Sequence, residues 1–453
     1  MLFGCNSIEE RQLIESTPTA ENILITNVDV FDGEDSVLTA NQYLLLEGGI
    51  IKSITTNLPD TVGLSAHTIN GFGKTIIPGL IDAHVHLSGS GAVPWDNYRA
   101  NESYNLQAYL HTGITTVYDL GGLSKGLEEL TEKVKEQTLV GPDIFHTHIP
   151  ITVKNSHPIP LTEIMLPWPL KTMVNTISPT IEAVDEADDL IADYLENEVD
   201  FVKLICDQIP PGSPQMTYEQ MKALISAAHK NKKKVFVHIG SPENAVNAIK
   251  AGADVLAHGV WRGQLTKEQA EFIARSKVPL IYTLSGFENI THIHHGDYTP
   301  TRLDSIVVPH EILSPVLGEN GKHVHNQEVM NAFFESAAEN KKYWKQNFRL
   351  LLEAGAVIAV GTDSNLPGTY AGSTYLQELE LLKEYGLSNF EILKAATTTN
   401  ANLFLKSPDF GSVKVGHKAN LILLDRNPIE DLTTLESPSL IIKNGKLISR
   451  ISY

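Results

Sequence analysis

Short apolar runs alternate with amphipathic segments through the middle of the chain, between residues 76 and 407. Runs such as 113–120 and 200–205 are hydrophobic at nearly every position, which is typical of strands buried on both faces of a parallel sheet. Segments with helical spacing follow these runs, so the pattern predicts repeated strand–helix units and an α/β fold. About seven or eight such units in roughly 330 residues favour a (β/α)8 TIM barrel over an open sheet.

Polar capping residues mark where several of these helices begin. A Ser or Thr followed three residues later by Gln or Glu can satisfy the free N–H groups of the first helical turn. The chain carries this pattern at Thr217-x-x-Gln220, Thr266-x-x-Gln269 and Ser388-x-x-Glu391. Ser241-Pro242 and Gly252 give a matching start and end for one further helix.

Two segments interrupt the alternation of strands and helices. One is 146–179, which is rich in Pro and His, and the other is 285–340, which contains several histidines. Long insertions in a barrel usually lie over the active-site mouth and shape the choice of substrate. Surface elaboration with solvated histidines is the alternative interpretation.

Both ends of the chain have the alternating pattern of half-buried strands instead. Residues 22–70 and the segments 419–425 and 440–448 are of this kind, and they predict short β pieces at both ends. The economical arrangement is a small β-sandwich domain built from both ends, with the large domain inserted between them. The predicted divisions are a tether at 1–21, the sandwich at 22–75 and 408–453, and the metal-dependent barrel at 76–407.

Composition and charge narrow the class of protein. The chain has 453 residues, of which 42% are hydrophobic and 20% charged, as is ordinary for a globular protein. A net charge of −19 disfavours a nucleic-acid partner and leaves a small-molecule substrate as the expectation. No apolar run approaches the roughly 20 residues that a membrane-spanning helix needs. With two cysteines, Cys5 and Cys206, a disulfide framework and a cysteine-based zinc site are excluded. We also expect a homo-oligomer.

The first residues allow a hypothesis about location. Leu2-Phe3-Gly4-Cys5 resembles the lipobox of bacterial lipoproteins, in which the cysteine is lipidated after signal cleavage, and a polar segment follows as a tether. No charged region or long apolar region precedes Cys5 in this sequence, so a chance match is the alternative. A lipid anchor at Cys5 predicts a periplasmic or membrane-anchored protein; without it we expect a cytoplasmic one.

The stretch 78–87 carries the clearest metal-binding pattern. His84 and His86 lie two residues apart at a predicted strand, so their side chains project from one face, about 6.6 Å apart along the backbone. Two surface histidines are the plain alternative to a shared metal ion. The ends of later strands supply further candidates, namely Lys203, His238, His258 and Asp363. Four imidazoles and one carboxylate suit zinc, with manganese and cobalt as alternatives.

Several motifs, taken in chain order, resemble those of one enzyme superfamily. They are 78–86, 113–117, 200–203, His238, 251–259, 361–364 and 413–421. Together they cover nearly the whole chain, which by this resemblance is identified as a member of the amidohydrolase superfamily. It is most similar to the binuclear metal branch, which includes prolidase-like Xaa-Pro dipeptidases and related aryl-urea, carbamate and amide hydrolases.

The resemblance implies a metal-dependent hydrolase that cleaves an amide-type C–N bond, in a dipeptide, an N-acyl amino acid, a carbamate or a urea. It implies two divalent ions, most simply zinc. One would be held by His84, His86, Lys203 and Asp363, and the other by Lys203, His238 and His258. A hydroxide bridging the ions would attack the substrate, while Asp363 would act as general base and then as general acid.

Lys203 decides between one metal ion and two. As an ammonium it would repel the ions and pair with Asp200 or Asp207. Carboxylated by CO₂ on its amine, it becomes an anionic group with two oxygens that can bridge two ions. The family resemblance favours the carboxylated form.

The substrate is less closely defined. Dipeptidases of this branch commonly carry Arg in the second strand, where this chain has Tyr118. They also commonly have Ala-His-Gly after the fifth-strand histidine and Gly-Gly-His after the third strand, where this chain differs at 239–241 and 145–150. We predict substrate contacts for Tyr118, His148 and Tyr282, with a packing role as the alternative for each.

Three other functions fit single features of the sequence. Residues 122–126 match the nucleophile elbow of serine hydrolases, although Ser124 is equally a natural helix N-cap. A deaminase of the same superfamily is the nearest rival; such enzymes mostly use one metal ion, so Lys203 argues against it. The third is a barrel that has lost catalysis and serves as a scaffold, against which the presence of all six candidate ligands argues.

Overall fold

The computed structural model of the chain describes residues 10–17, 22–59, 66–92, 101–122, 124–165, 174, 178–317, 328–364 and 366–451. The strands in this part of the chain are β1 Ile14–Ser16, β2 Asn22–Val30, β3 Thr39–Glu47, β4 Ile50–Thr55, β5 Ala66–Asn70, β6 Thr75–Pro78, β7 Leu80–Val85, β8 Ile114–Asp119, β9 Asp143–His146, β10 Val202–Cys206, β11 Val235–Ile239, β12 Val255–Ala257, β13 Leu280–Tyr282, β14 Ile358–Val360, β15 Leu421–Leu424, β16 Leu440–Lys443 and β17 Lys446–Arg450. The α-helices are α1 Glu102–His111, α2 Ser124–Lys135, α3 Ile159–Met165, α4 Ala187–Tyr194, α5 Tyr218–Lys230, α6 Pro242–Ala251, α7 Lys267–Ser276, α8 Leu284–His295, α9 Arg302–Val307, α10 His310–Leu317, α11 Glu328–Ala354, α12 Ser373–Tyr385 and α13 Asn389–Lys394.

Strands from both ends of the chain form one hydrogen-bonded sheet. Its order is β1-β17-β16-β15-β6-β2-β3-β4, and β5 pairs with β2 in addition. The two ends meet where β15 pairs antiparallel with β6, so that Leu421 lies opposite Pro78 and Leu424 opposite Thr75. Because β6 is a strand of this sheet, the predicted boundary between residues 75 and 76 falls inside it.

The middle of the chain contributes eight parallel strands in two sheets, as far as it is described. One sheet has the order β7-β8-β9 and the other β10-β11-β12-β13-β14, and every neighbouring pair is parallel. Single bridges link the two sheets: Val85 pairs with Ser364, just after β14, and Ile151 pairs with Leu204 of β10. The α/β class predicted from the alternation is therefore confirmed.

Helices separate these strands and begin where the capping patterns predicted. The side chains of Thr217, Thr266 and Ser388 accept N–H groups in the first turns of α5, α7 and α13. Ser241 caps α6 in the same way, and Gly252 ends that helix in the left-handed conformation, with φ 106°. No helix in the described ranges is long and apolar enough to cross a membrane.

The parallel strands are buried on both faces, which explains their nearly continuous apolar runs. Every position of β7, β8, β10 and β11 is buried. A cluster of apolar side chains from at least five strands, including Ile81, Phe236 and Ile281, fills the space between them. Since the strands run parallel, their carboxyl ends share one edge, which is where an α/β fold places its active site.

Candidate metal centre

His84, His86 and Asp363 form the tightest cluster of candidate ligands. The Nε2 atoms of His84 and His86 lie 3.1 Å and 3.0 Å from the same oxygen, Oδ1 of Asp363. The backbone brings the three together, because the N–H of Asp363 donates to the carbonyl of His84 over 2.8 Å. One ligand atom from each residue lies within 4.8 Å of the others. We call these three residues the carboxylate half of the site.

His238, near the end of β11, and His258, just after β12, form the neighbouring group. Nδ1 of His238 lies 3.0 Å from Nε2 of His258. The ring of His258 also lies 4.6 Å from the ring of His84, and its Nδ1 lies 4.0 Å from Oδ2 of Asp363. We call His238 and His258 the imidazole half. The structure therefore brings together residues from widely separated parts of the chain, as the sequence predicted.

Lys203 differs from its predicted position at a strand end. It is the second residue of β10, so it lies deeper between the strands than the other candidates, and its side chain is almost fully buried. Its Nζ has no hydrogen-bond partner among the described residues. Neither carboxylate named as an alternative partner pairs with it: Asp200 accepts the N–H of His146, and Asp207 contacts His238 and Arg262. Lys203 therefore forms no salt bridge among the described contacts.

Burial sets the charge of these groups. It lowers the pKa of His84 to about 3 and holds the pKa values of His238 and His258 well below the usual value, so these rings are neutral at neutral pH. Burial also lowers the pKa of Lys203 to about 7, with Asp363 acting in the opposite direction. For Asp363, burial favours the acid, but its interactions with the nearby histidines, including hydrogen bonds with His84 and His86, outweigh burial and hold its pKa well below the usual range.

Contacts outside the cluster fix which nitrogen of each ring is available. Nδ1 of His86 donates to the carbonyl of Gly121 over 2.9 Å, which orients the ring so that its Nε2 faces Asp363. Nε2 of His238 lies 3.3 Å from Oδ2 of Asp207, which leaves its Nδ1 facing His258. Nδ1 of His258 contacts Thr283 Oγ1 over 2.8 Å in the same manner. Such outer partners orient histidine ligands in metal sites.

The arrangement fits divalent metal ions. Neutral imidazole nitrogens and a carboxylate oxygen are ligands that zinc and related metals prefer. Nζ of Lys203 and Nδ1 of His84 are buried without a hydrogen-bond partner in the described part of the chain. Buried polar atoms are rarely left unpaired, so these atoms indicate a group that the protein alone does not supply.

The amidohydrolase family model matches residues 75–448 of the chain. The chain belongs to the amidohydrolase family. This membership makes it a hydrolytic enzyme that acts on C–N bonds. Amidohydrolases generally use divalent metal ions, in agreement with the cluster of His84, His86 and Asp363.

Individual proteins resemble this amidohydrolase over most of their length. The ochratoxinase of Aspergillus niger is 22% identical over 408 residues, which cover 82% of this chain and 75% of that protein. The 5-methylthioadenosine/S-adenosylhomocysteine deaminase of Caldanaerobacter subterraneus is 24% identical over 471 residues, covering 94% and 93%. A solved Xaa-Pro dipeptidase with methionine bound in its active site shares 22% identity, with a TM-score of 0.75 and coverage of 94% and 99%. The structural likeness at this identity shows a common fold.

Two of the three predicted substrate contacts lie in packing layers of this amidohydrolase. Tyr118 is fully buried against Phe145, and its hydroxyl donates to the carbonyl of Asn400 over 2.9 Å. Tyr282 is almost fully buried, with its ring centroid 4.8 Å from that of Phe348 on α11. Both placements match the packing alternative, because strand side chains alternate between the interior and the surrounding helices. The structure does not place either tyrosine in the metal cluster.

The third predicted contact, His148, is half-buried beside Tyr194. Their ring centroids are 5.8 Å apart, and the hydroxyl of Tyr194 donates to the carbonyl of His148. Burial lowers the pKa of His148. Two other candidates lie outside the described residues, namely Cys5 and the side chain of Ser124.

His157 is a site residue that the strand-end criterion missed. Its ring centroid lies 4.9 Å from that of His238, and its Nδ1 is buried without a hydrogen-bond partner among the described residues. Burial lowers its pKa to about 4, so the ring is neutral. It lies in the loop after β9, within the Pro- and His-rich segment 146–179, and that composition was the available signal.

Proposed function

We propose that this amidohydrolase hydrolyses an amide-type C–N bond of a small molecule, with two divalent metal ions, most simply zinc. The substrate class comprises dipeptides, N-acyl amino acids, carbamates and ureas. The observation that carries the proposal is the convergence of four imidazoles and one carboxylate at the carboxyl ends of the parallel strands, with the unpaired Lys203 deeper between those strands. Nζ of Lys203 and Nδ1 of His84 are buried without a hydrogen-bond partner among the described residues, which supports the presence of a group that the protein alone does not supply.

The two halves of the site divide the ligands. We assign one ion to the carboxylate half together with Lys203, and the other to the imidazole half together with Lys203. Divalent metals in such sites polarise a carbonyl oxygen and lower the pKa of water from 15.7 to about 7.

Asp363 is the group suited to move the proton. Its carboxylate is ionised at neutral pH, because the neighbouring histidines hold its pKa low. It can accept a proton from the attacking water at the free lone pairs of its two oxygens and return that proton to the leaving nitrogen, as a general base and then a general acid. Removing Asp363 would therefore remove a ligand and the proton carrier together.

Lys203 is suited to carboxylation. Its pKa of about 7 leaves the amine substantially neutral at neutral pH, and a neutral amine can attack CO₂. The step forms an N–C bond, yields a carbamate with two oxygens and releases one proton. The buried and unpaired position of Nζ supports this proposal, since the carbamate would complete the ligands of both halves.

His157 is suited to bind the substrate beside the imidazole half. Its neutral ring offers a buried and unpaired nitrogen next to His238. We assign it a hydrogen bond to an oxygen of the substrate, which would orient the scissile group.

The overall architecture supports this site. We propose that the two parallel sheets close through their two bridges into one (β/α)8 barrel that begins at β7 and extends to about residue 407. In this proposal the strands of the sheet formed by both chain ends, β1–β6 and β15–β17, form a separate small β domain.

A substrate panel tests the proposed function. Dipeptides including Xaa-Pro, N-acyl amino acids, aryl-ureas, carbamates and lactones are offered to the zinc-loaded protein, with amine release measured. We expect turnover of at least one amide-type compound, abolished by a chelator and restored by zinc. Turnover that survives complete metal removal, or that is confined to lactones, would contradict the proposal.

A deaminase with one metal ion is a second candidate. The observation that favours it is the compactness of the carboxylate half, whose three ligands meet within 4.8 Å without help from Lys203. Ammonia release from ring amines, with one bound ion per chain, would establish the deaminase in place of the amide hydrolase.

A further inference from the structure

Asp207 is a fully buried carboxylate just outside the metal cluster, directly after β10. Four donors converge on it from three strand ends. The N–H of Gln208 lies at 2.7 Å, the indole Nε1 of Trp261 at 3.0 Å and Nε2 of His238 at 3.3 Å, and the guanidinium of Arg262 forms an ion pair with it. A carboxylate with this many donors is held in one orientation.

The surrounding backbone is shaped to admit this carboxylate. A Cβ added at Gly240 would lie 2.1 Å from Oδ2 of Asp207, so the position after β11 has room only for glycine. The N–H of Arg262 also donates to the carbonyl of Gly240 over 2.9 Å, which ties the segment after β12 to the one after β11. The carboxylate of Asp207 therefore occupies the space that a side chain at position 240 would need.

The contact with His238 has a consequence for metal binding. An imidazole ring can turn over about its bond to Cβ, and the two orientations exchange the positions of Nδ1 and Nε2. A carboxylate accepts hydrogen bonds and does not donate them, so Asp207 favours the orientation in which Nε2–H points to it. In that orientation the lone pair of Nδ1 faces His258, over 3.0 Å.

We propose that Asp207 is a positioning residue that sets the metal affinity of the imidazole half by orienting His238. The inference rests on the proposed function, because it requires two metal positions. The contacts given above for Asp207 go to His238, Gln208, Trp261 and Arg262, so we expect the affinity of the carboxylate half to be independent of this residue. Loss of an outer carboxylate partner typically weakens metal binding by roughly 10- to 100-fold.

The test measures the affinity of each zinc ion separately, by titration of the metal-free protein with bicarbonate present against a chromophoric zinc chelator. In Asp207→Ala we expect one of the two dissociation constants to rise by roughly 10- to 100-fold while the other stays unchanged. Asp207→Asn keeps an oxygen that can accept the His238 N–H but lacks the charge, so its effect should be intermediate. Cobalt substitution gives a second readout, because the visible spectrum of the weaker ion should change.

Two further variants are useful: one is a control, and the other displaces Asp207 by a different substitution. Oδ2 of Asp254 lies 2.7 Å from Nε2 of His229, away from the site, so Asp254→Asn should leave both affinities unchanged. Gly240→Ala displaces Asp207 without changing any charge and should reproduce the loss at one position.

The outcomes separate this inference from the proposed function. If wild-type protein binds two ions and Asp207→Ala binds both with unaltered affinity, the inference is wrong and the proposed function stands. Equal weakening at both positions, matched by a lower melting temperature, would also overturn it, since it shows a general structural role. If wild-type protein binds one ion only, the two-ion function itself fails.

Discussion

The two halves of the metal site are built by different physical means. In the carboxylate half, backbone hydrogen bonds between β7 and the segment after β14 place Asp363 against His84 and His86. In the imidazole half, the two rings face each other without a carboxylate between them, and side chains such as Thr283 and Asp207 orient them. The first half is thus fixed by the strands themselves, whereas the second depends on outer hydrogen bonds. We expect the ion of the imidazole half to be the weaker one.

Asp363→Asn is expected to have the largest effect, because it removes charge from the carboxylate half and the proposed proton carrier at once. We predict a fall in kcat of roughly 10²- to 10⁴-fold, with the loss of one zinc ion per chain. Steady-state kinetics and metal analysis measure the two effects. The matched control is Asp188→Asn, an exposed partner of Lys230 far from the chemistry. A near-normal kcat in Asp363→Asn would show that Asp363 does not carry the proton.

Lys203→Ala tests whether the two halves are joined. If carboxylated Lys203 serves both ions, the variant should lose the ion of the imidazole half and turnover should fall on the order of 10²-fold. Zinc content and kcat are the measurements. If the variant retains two ions and near-normal turnover, the proposal that a carbamate on Lys203 serves both ions is wrong.

The pH dependence of metal uptake tests whether the neutral amine of Lys203 is the form that becomes carboxylated. Burial lowers the pKa of Lys203 to about 7, so its amine is neutral above that pH and protonated below it. Uptake of the second ion by metal-free protein in bicarbonate should therefore fall by roughly tenfold per pH unit below about 7. A stopped-flow metal-uptake series measures this, and a flat profile between pH 5.5 and 7 would argue against the neutral amine as the reacting form.

The lowered pKa of Lys203 also makes the stability of the metal-free protein depend on pH. The folded-state pKa of about 7 lies below the ordinary value of 10.5, so between these values the unfolded chain binds the proton more tightly. The contribution of Lys203 to the free energy of unfolding is therefore least favourable below pH 7 and rises up to about pH 10.5. Lys203→Met should remove this slope in urea denaturation at a series of pH values.

Thr283→Val is expected to have the smallest effect of these variants. It keeps the shape of the side chain but removes the oxygen 2.8 Å from Nδ1 of His258. We predict weakening of the imidazole-half ion by about tenfold, with the carboxylate half unchanged. Chelator competition measures this, and equal weakening of both ions would contradict the division into two halves.

The sequence could predict the convergence of ligands because strand ends are readable from the pattern. His84, His238 and Asp363 are near or just past apolar runs, and parallel strands necessarily bring such positions to one edge. The pattern predicts Lys203 at a strand end, whereas it is the second residue of β10, and its long side chain can still reach the site from that depth. For Tyr118 the pattern predicts a substrate contact and leaves packing as the alternative, because the direction of a strand side chain depends on a register that the sequence leaves open.

The residues that surround and orient the metal ligands could not be predicted from the sequence, and the reason is physical. His157 lies in a loop, and Asp207 finds its partners His238 and Trp261 on other strands. Such contacts depend on how loops pack over the strand ends, and no periodicity encodes that. Gly240 carried a signal, as a departure from the dipeptidase pattern, but its meaning required the position of Asp207.

The most direct test of the account is anomalous X-ray diffraction at the zinc absorption edge, on crystals grown with zinc and bicarbonate. We predict two peaks per chain, one among His84, His86 and Asp363 and the other between His238 and His258, with both next to Lys203. One peak alone, or two peaks that do not involve these residues, would contradict the two-ion site on which the proposed function depends.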